Sequence, residues 1–340
     1  MLIITHGQVD GLLSGREKEV VDLVAAAYER HEEGRTVLPH SVFLRFPDRP
    51  RDRIIGLPGY LGAPAGDTAA DGEVAGMKWI SSFPGNVDAG HERASAAILL
   101  NSLETGHPKA LIEGSLISAR RTAASAALAS RTLLDGRRPT GVTLIGTGVI
   151  NREVLRFLAV VHPHLSSLAV YDTDPRRAAR FTADHARLLP GARVRHCDSL
   201  DEALAAHDLV SFATTAATPY TGLDACPPGT VVLHVSLRDL TVPAVLGAHN
   251  VVDDPDHVCR ENTSPHLAET HTGGRDFLHA SLGALLKGAA EPVPHDGRPV
   301  VFSPFGLGVL DLALARFVHD EARARGVGTT VDGFLPGRTA

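Results

Sequence analysis

From Val142 onward, short apolar runs alternate with helical stretches: VTLIG, VLRFLAVV, SLAVYD, RRAARFTADHARLL, ARVRHC, LDEALAAH, LVSFATT and VVLHVSL. No other feature constrains the fold as strongly. Buried strands spaced by helices of about 10–15 residues are the pattern of βαβ units on a parallel sheet. The implied fold class is α/β, with a doubly wound domain over residues 120–309. The first third has a different rhythm. REKEVVDLVAAAYERHEEG carries Val20, Val21, Leu23, Val24 and Tyr28 at helical spacing before a glycine stop. Strand-like runs follow (SVFLRF, RIIGLP, VAGMKWISSF), then SAAILLNSLETGHPKALIEG, in which T-G-H-P marks a turn. Residues 1–119 therefore read as an α+β substrate or assembly domain, to which the helical LGVLDLALARFVHDEARARG returns the chain over 310–340. Alanine-rich SARRTAASAALASRTLL is a helix joining the two domains. GVGTTVDGFLPGRTA reads as a loose tail.

Composition narrows the classes of function. The 340 residues are 44% hydrophobic and 21% charged, and a mean hydropathy of +0.02 belongs to a globular chain rather than a disordered one. Lys and Arg number 33 against 39 Asp and Glu, a net charge of −6, so a nucleic-acid partner is not expected. No apolar run is long enough to cross a bilayer, so no membrane partner is expected. The N-terminus lacks the basic and apolar regions of a signal peptide. Cys197, Cys226 and Cys259 are far apart and form no C-x-x-C, which suits a reducing cytoplasm and indicates neither a disulfide framework nor a thiolate zinc site. The 18 histidines suggest no metal site. His266 and His271 are five apart, whereas the zinc helix motif needs histidines four apart with Glu directly after the first. There is no G-x-S-x-G for serine hydrolysis.

Directly after the strand VTLI comes Gly146-Thr147-Gly148-Val149-Ile150-Asn151, with a helix behind it. A tight glycine turn there brings backbone N–H groups to a pyrophosphate at a helix N-terminus, as in a Rossmann-type domain. The sixth position, normally Gly or Ala, is Asn151. The next strand ends in Asp172, at roughly the 20-residue separation where an acid takes the ribose hydroxyls. Gly146, Gly148, Val149, Ile150 and Asp172 are the cofactor-binding candidates, and the expected cofactor is NAD. Arg176 and Arg177 lie close enough in sequence to keep NADP open. The bland alternative is that the glycines only turn the chain and Asp172 caps the following helix.

VAGMKWISSFPGN, LETGHPKALIEGSLISARRTAASAALA, GTGVIN and HVSLRDL resemble the ornithine cyclodeaminase/μ-crystallin family over nearly the whole chain. Together with ERASAAILLNSLETG and SPFGLGVLDLA, they look most like its branch that supplies 2,3-diaminopropionate for siderophores and peptide antibiotics. The resemblance implies a homodimer and an NAD-dependent oxidation of the secondary amine joining glutamate and diaminopropionate skeletons. Hydrolysis of the imine then yields 2-oxoglutarate and L-2,3-diaminopropionate.

By the same resemblance, Lys78, Arg121 and Asp239 are the catalytic candidates. Asp239 would accept a proton near the reacting nitrogen, Lys78 would hold a carboxylate or donate to that nitrogen, and Arg121 would fork onto a carboxylate. Thr122, read as opening the joining helix, would contact the cofactor phosphates. A tricarboxylate needs further cations, for which Arg45 and Arg93 are the candidates, although most arginines are simply solvated. Cyclizing relatives carry a smaller hydroxyl residue near the place of Arg93, and a lysine shortly after the catalytic aspartate, where this chain reads Asp239-Leu240-Thr241-Val242-Pro243. The alternatives are ornithine cyclodeamination, reduction of a ketimine or imino acid, and a non-catalytic, nucleotide-dependent binding protein.

Overall fold

The computed structural model describes residues 1–66 and 72–335. The chain divides into two compact units, Met1–Arg121 with Leu307–Ala340, and Thr122–Gly306.

The first unit is a mixed sheet with helices on one face. Its elements are β1 (Leu2–Ile4), α1 (His6–Leu13), α2 (Glu17–Glu32), β2 (Thr36–Val37), β3 (Val42–Phe46), β4 (Arg49–Leu61), β5 (Val74–Ser82), β6 (Ala94–Asn101), β7 (Pro108–Glu113) and the start of α3 (Ser115–Leu134). The strand order is β1-β7-β6-β5-β4-β2, with β3 also paired to β4. The C-terminal helix Gly308–Arg325 lies on β4, β5 and β6 and against α2, burying Val309, Leu310, Leu312, Leu314 and Val318. α1 escapes the periodicity reading. Its start has a local signal, however, because the Gln8 side chain accepts the Thr5 N–H at 2.9 Å, as the third residue of a capping box does.

The expected loose tail is in part ordered. Thr329–Thr330 pairs antiparallel with β1, and the Val331 N–H donates to the Met1 carbonyl at 2.8 Å. An exposed edge of β1 offers the backbone partners that hold it. Residues 336–340 of that tail lie outside the described residues.

The second unit winds helices around a parallel sheet: β8 (Gly141–Ile145), α4 (Val149–Val161), β9 (Ser167–Tyr171), α5 (Pro175–His185), β10 (Arg193–His196), α6 (Leu200–Leu204), β11 (Leu209–Phe212), β12 (Val231–His234), α7 (Val242–Leu246), β13 (His249–Val252), α8 (Pro255–Val258), α9 (Ser264–Thr272), β14 (Leu278–Ser281), α10 (Leu282–Leu286) and β15 (Val300–Ser303). The order is β10-β9-β8-β11-β12-β15-β13-β14, with every pair parallel. Strands β8, β11, β12, β13 and β15 are buried at every position, as strands covered on both faces must be. The strand order reverses between β8 and β11, which opens a crevice at their carboxyl ends.

Candidate functional site

At that reversal β8 ends in the glycine turn. Gly146 sits at φ +87°, and a Cβ there would lie 2.6 Å from the Ala213 carbonyl, so only glycine fits. Gly148 is the residue before α4, and nothing within 4 Å would meet a Cβ on it. The first intrahelical bond runs from the Arg152 N–H to the Gly148 carbonyl. The N–H groups of Val149, Ile150 and Asn151 therefore belong to the helix's open first turn.

Asn151, the departure from the glycine pattern, is fully buried. It donates to the Ile145 and Gly146 carbonyls at 2.9 and 2.7 Å and accepts from Ser211 Oγ at 2.8 Å. The amide thus braces the turn to β8 and β11, where Gly or Ala would give close packing. Asp172, just past β9, accepts the Thr147 N–H at 2.8 Å and the Thr147 hydroxyl at 2.5 Å. Its other oxygen accepts the Asp174 N–H at 3.1 Å. An open helix N-terminus, a turn that admits no side chain at Gly146 and a fixed carboxylate fit a dinucleotide.

Thr122 is half-buried and stands inside α3, which begins at Ser115. The expectation that it opens this helix is therefore corrected: Glu113 accepts the Ser115 N–H at 2.7 Å and starts the helix earlier, so no helix-terminal N–H groups lie at Thr122.

Asp239 follows β12 across a turn in which Leu237 takes φ +68°, a left-handed conformation that costs a non-glycine residue energy. Its carboxylate is fully buried. Oδ1 accepts from Thr214 Oγ1 and, at 3.1 Å, from Tyr220 Oη; Oδ2 accepts from Ser236 Oγ. His234 Nε2 stands 3.2 Å from Oδ2 and from the Asp239 backbone nitrogen, and its Nδ1 lies 3.1 Å from Ser303 Oγ. Burial alone would raise this carboxyl, but His234 and the Ser236 and Thr214 hydroxyls outweigh it and hold Asp239 below the usual carboxylate range. Burial and the adjacent carboxylate push the Tyr220 hydroxyl up, so it stays a donor. The Tyr220 and Thr221 N–H groups bond the Asp239 carbonyl at 2.9 and 3.1 Å, fixing the loop that carries the phenol.

In the first unit the structure brings Lys78 (β5) and Arg121 (α3) together on a residue not singled out from sequence. Asp311, in the C-terminal helix, takes Lys78 Nζ at 2.7 Å on Oδ2 and Arg121 Nε at 3.1 Å on Oδ1. Lys78 also donates to Ser118 Oγ at 3.2 Å. All three charged groups are buried. Desolvation lowers the Lys78 ammonium to about 8, with Asp311 opposing and Arg121 adding to the fall. Burial works against the Asp311 carboxylate, but Arg121 and Lys78 hold it below its ordinary range.

Arg45 is exposed on β3, its guanidinium 5.1 Å from the Phe43 ring centroid. Arg93 is half-buried and donates to Ser82 Oγ at 2.7 Å. Neither touches the Lys78–Asp311–Arg121 group. The signal for Asp311 was present in the sequence as an acid within the apolar helical run GLGVLDLALA, and that for His234 as an imidazole in the buried strand VVLHV. Among the described residues no group of three or more His, Cys, Asp or Glu is placed to hold a metal ion, and no helix is long and apolar enough to cross a membrane.

A family model described as the ornithine cyclodeaminase/mu-crystallin family matches residues 5–326. N-((2S)-2-amino-2-carboxyethyl)-L-glutamate dehydrogenase of Staphylococcus aureus (strain NCTC 8325 / PS 47) is 28% identical over 338 residues, 98% of each chain. The structure of Thermococcus litoralis Δ1-pyrroline-2-carboxylate reductase in complex with NADH and L-proline superposes with a TM-score of 0.88 at 27% identity, covering 97% of this chain and 100% of that one. An archaeal alanine dehydrogenase dimer with bound NAD superposes with a TM-score of 0.86 at 25% identity, covering 98% and 99%.

Proposed function

The chain belongs to the ornithine cyclodeaminase/mu-crystallin family, and we propose that it is an NAD-dependent amino-acid dehydrogenase cleaving N-(2-amino-2-carboxyethyl)-L-glutamate to 2-oxoglutarate and L-2,3-diaminopropionate. NAD, when bound, supplies the hydride acceptor. Gly146, Gly148, Val149 and Ile150 would hold its pyrophosphate, Asp172 its ribose, and Thr122 a phosphate through its hydroxyl. Asp172 also disfavours a ribose 2′-phosphate.

The observation that carries this reading is the Asp239 carboxylate, kept ionised at the carboxyl end of β12 by His234 and by hydroxyl donors. Hydride leaves the glutamyl α-carbon only while the amine nitrogen has a free lone pair, so a base must keep that nitrogen unprotonated. Asp239 takes the proton. It then orients water onto the imine carbon, and the carbon–nitrogen bond breaks to give the ketone and the free amine. Lys78 and Arg121 bind the glutamyl α-carboxylate, held by Asp311 in a fixed geometry. Arg45 and Arg93 serve the remaining acidic groups.

The assembly we favour is a homodimer in the cytoplasm, feeding siderophore or peptide-antibiotic synthesis. In support, Val42, Leu44 and Trp79 are 64%, 44% and 43% exposed on the sheet face of the first unit opposite the C-terminal helix, the kind of apolar patch that marks an interface. Free cysteines suit a reducing compartment.

The test supplies NAD with N-(2-amino-2-carboxyethyl)-L-glutamate and, separately, with L-ornithine, following NADH absorbance and products by mass spectrometry. NADH with 2-oxoglutarate and diaminopropionate is expected. Proline and ammonia without net NADH would replace this reading with cyclodeamination, and NAD binding without turnover would leave a binding protein.

A further inference from the structure

Strand β15 ends at Ser303, opposite Val252 of β13. Pro304 follows and has no N–H, so the parallel ladder between the two strands cannot run on. The Asp253 side chain takes over where the ladder stops. Its Oδ1 accepts the Phe305 N–H and the Asp254 N–H, each at 2.9 Å, and its Oδ2 accepts the Gly306 N–H at 2.6 Å. Asp253 is buried. Burial, with a smaller push from the Asp254 carboxylate, raises its carboxyl to about 6 against the pull of those three N–H groups. Taking a charge out of water costs stability unless its bonds compensate, a cost that an apolar strand end would avoid.

Two routes lead from the pinned segment to Asp239. Ser303 Oγ lies 3.1 Å from His234 Nδ1, and Nε2 of the same ring lies 3.2 Å from Asp239 Oδ2. Phe305 packs on the cluster of Leu237, Val252, Val258 and Cys259. Leu237 is the residue at φ +68° whose turn carries Asp239. A left-handed backbone at a leucine persists only where its surroundings hold it. The Ser264 N–H holds the Leu237 carbonyl at 2.7 Å, and the cluster under Phe305 holds the side chain.

We propose that Asp253 is a positioning residue for Asp239: by fixing Ser303–Gly306 it sets the His234 ring and the Leu237 turn, and through them the geometry of the Asp239 carboxylate. The catalytic part of the inference rests on the reading of Asp239 as the base. Asp253→Asn is the informative substitution. The amide keeps one acceptor oxygen, but its NH2 group meets a backbone N–H donor to donor, so the segment is released on one side without a change of side-chain size. A cap that served only the strand end would lower Tm on substitution and leave kcat and the His234 ring as they are.

The experiment uses the full-length protein loaded with NAD and has two readouts. In protein labelled with 15N-histidine, the His234 ring signals are identified by their loss in His234→Gln, and Asp253→Asn shifts them. In turnover of N-(2-amino-2-carboxyethyl)-L-glutamate, Asp253→Asn lowers kcat about tenfold or more, while KM and NAD affinity stay within about twofold of wild type. Phe305→Leu leaves the N–H groups on Asp253 in place and lowers kcat in the same way, which keeps the test open if Asp253→Asn does not fold. Ser303→Ala also lowers kcat, and added to Asp253→Asn it costs little more, because both act through one segment. Losses from these two that multiply in full overturn the inference, as do unmoved His234 signals. Oxidation of the amine by Asp253→Asn with the kcat of wild type overturns it too and leaves the dehydrogenase reading intact. His234 signals that move in Asp253→Asn, in a protein that oxidises no tricarboxylate amine, keep the positioning and discard that reading.

Discussion

Asp239 and Asp311 are both fully buried carboxylates, and both lie below the ordinary carboxylate range, yet their surroundings suit opposite tasks. Asp311 meets two cations, Lys78 and Arg121. The group carries one net positive charge, and the carboxylate is committed to holding its partners. Asp239 meets the hydroxyls of Thr214, Ser236 and Tyr220 and the ring of His234. His234 and the hydroxyl donors stabilise the negative charge without two cations to claim it, which suits a carboxylate proposed to take a proton. The same residue type is thus suited to anchoring or to proton transfer according to whether it is shared by two cations or held by an imidazole and hydroxyls.

The sharpest way to break this contrast is to neutralise each acid in turn. Asp239→Asn keeps the shape and removes the proposed proton acceptor. Turnover should fall by about 10²–10⁴-fold with NAD affinity little changed, measured by NADH formation and by cofactor titration; a large loss of NAD binding would move Asp239 out of the base role. Asp311→Asn leaves Lys78 and Arg121 facing each other without their counter-ion. Breaking a buried pair in this way costs about 3–5 kcal/mol, which thermal unfolding should register as a drop in Tm. A variant as stable as wild type would mean that Asp311 is no anchor.

How far each acid could be read in the sequence follows the same division. The second unit was legible because its strands are apolar at every position and its glycine turn is local, so β8, the turn and α4 follow from adjacent residues. Asp239 could be picked out by resemblance in HVSLRDL, but its hydroxyl partners Thr214 and Tyr220 come from another loop and leave no local pattern. Lys78 and Arg121 were visible for the same reason as Asp239. Their junction was not, because Asp311 lies 233 and 190 residues away from them along the chain, and only folding brings it under β5. The start of α3 was misread because alanine content marks a helix interior and not its first turn, which Glu113 sets at Ser115.

The pH response sharpens the comparison at the anchor. Lys78 titrates at about 8, below the 10.5 of a free lysine. The unfolded chain therefore binds more protons between these values, and Lys78 makes the fold more stable as pH rises across that window. If Lys78 holds a substrate carboxylate as proposed, substrate capture has the opposite slope: the ammonium is lost above about pH 8, so kcat/KM should decline there. Lys78→Arg, whose guanidinium stays charged, should remove the alkaline decline; a decline that persists would belong to another group.

The smallest effect expected is at the base. Tyr220→Phe deletes one of the three hydroxyls on Asp239 and leaves Thr214 and Ser236 in place. A hydrogen bond of this kind contributes about 1 kcal/mol, so turnover should fall only about fivefold. With one donor fewer the carboxylate binds its proton more readily, and the acid limb of kcat/KM should move to higher pH. That shift separates the residue from a merely structural phenol, whose loss would lower the rate without moving the limb. It also tests the contrast itself, because a carboxylate held by an imidazole and several hydroxyls should weaken in small steps as hydroxyls are removed, whereas an anchor held by two cations should fail at once.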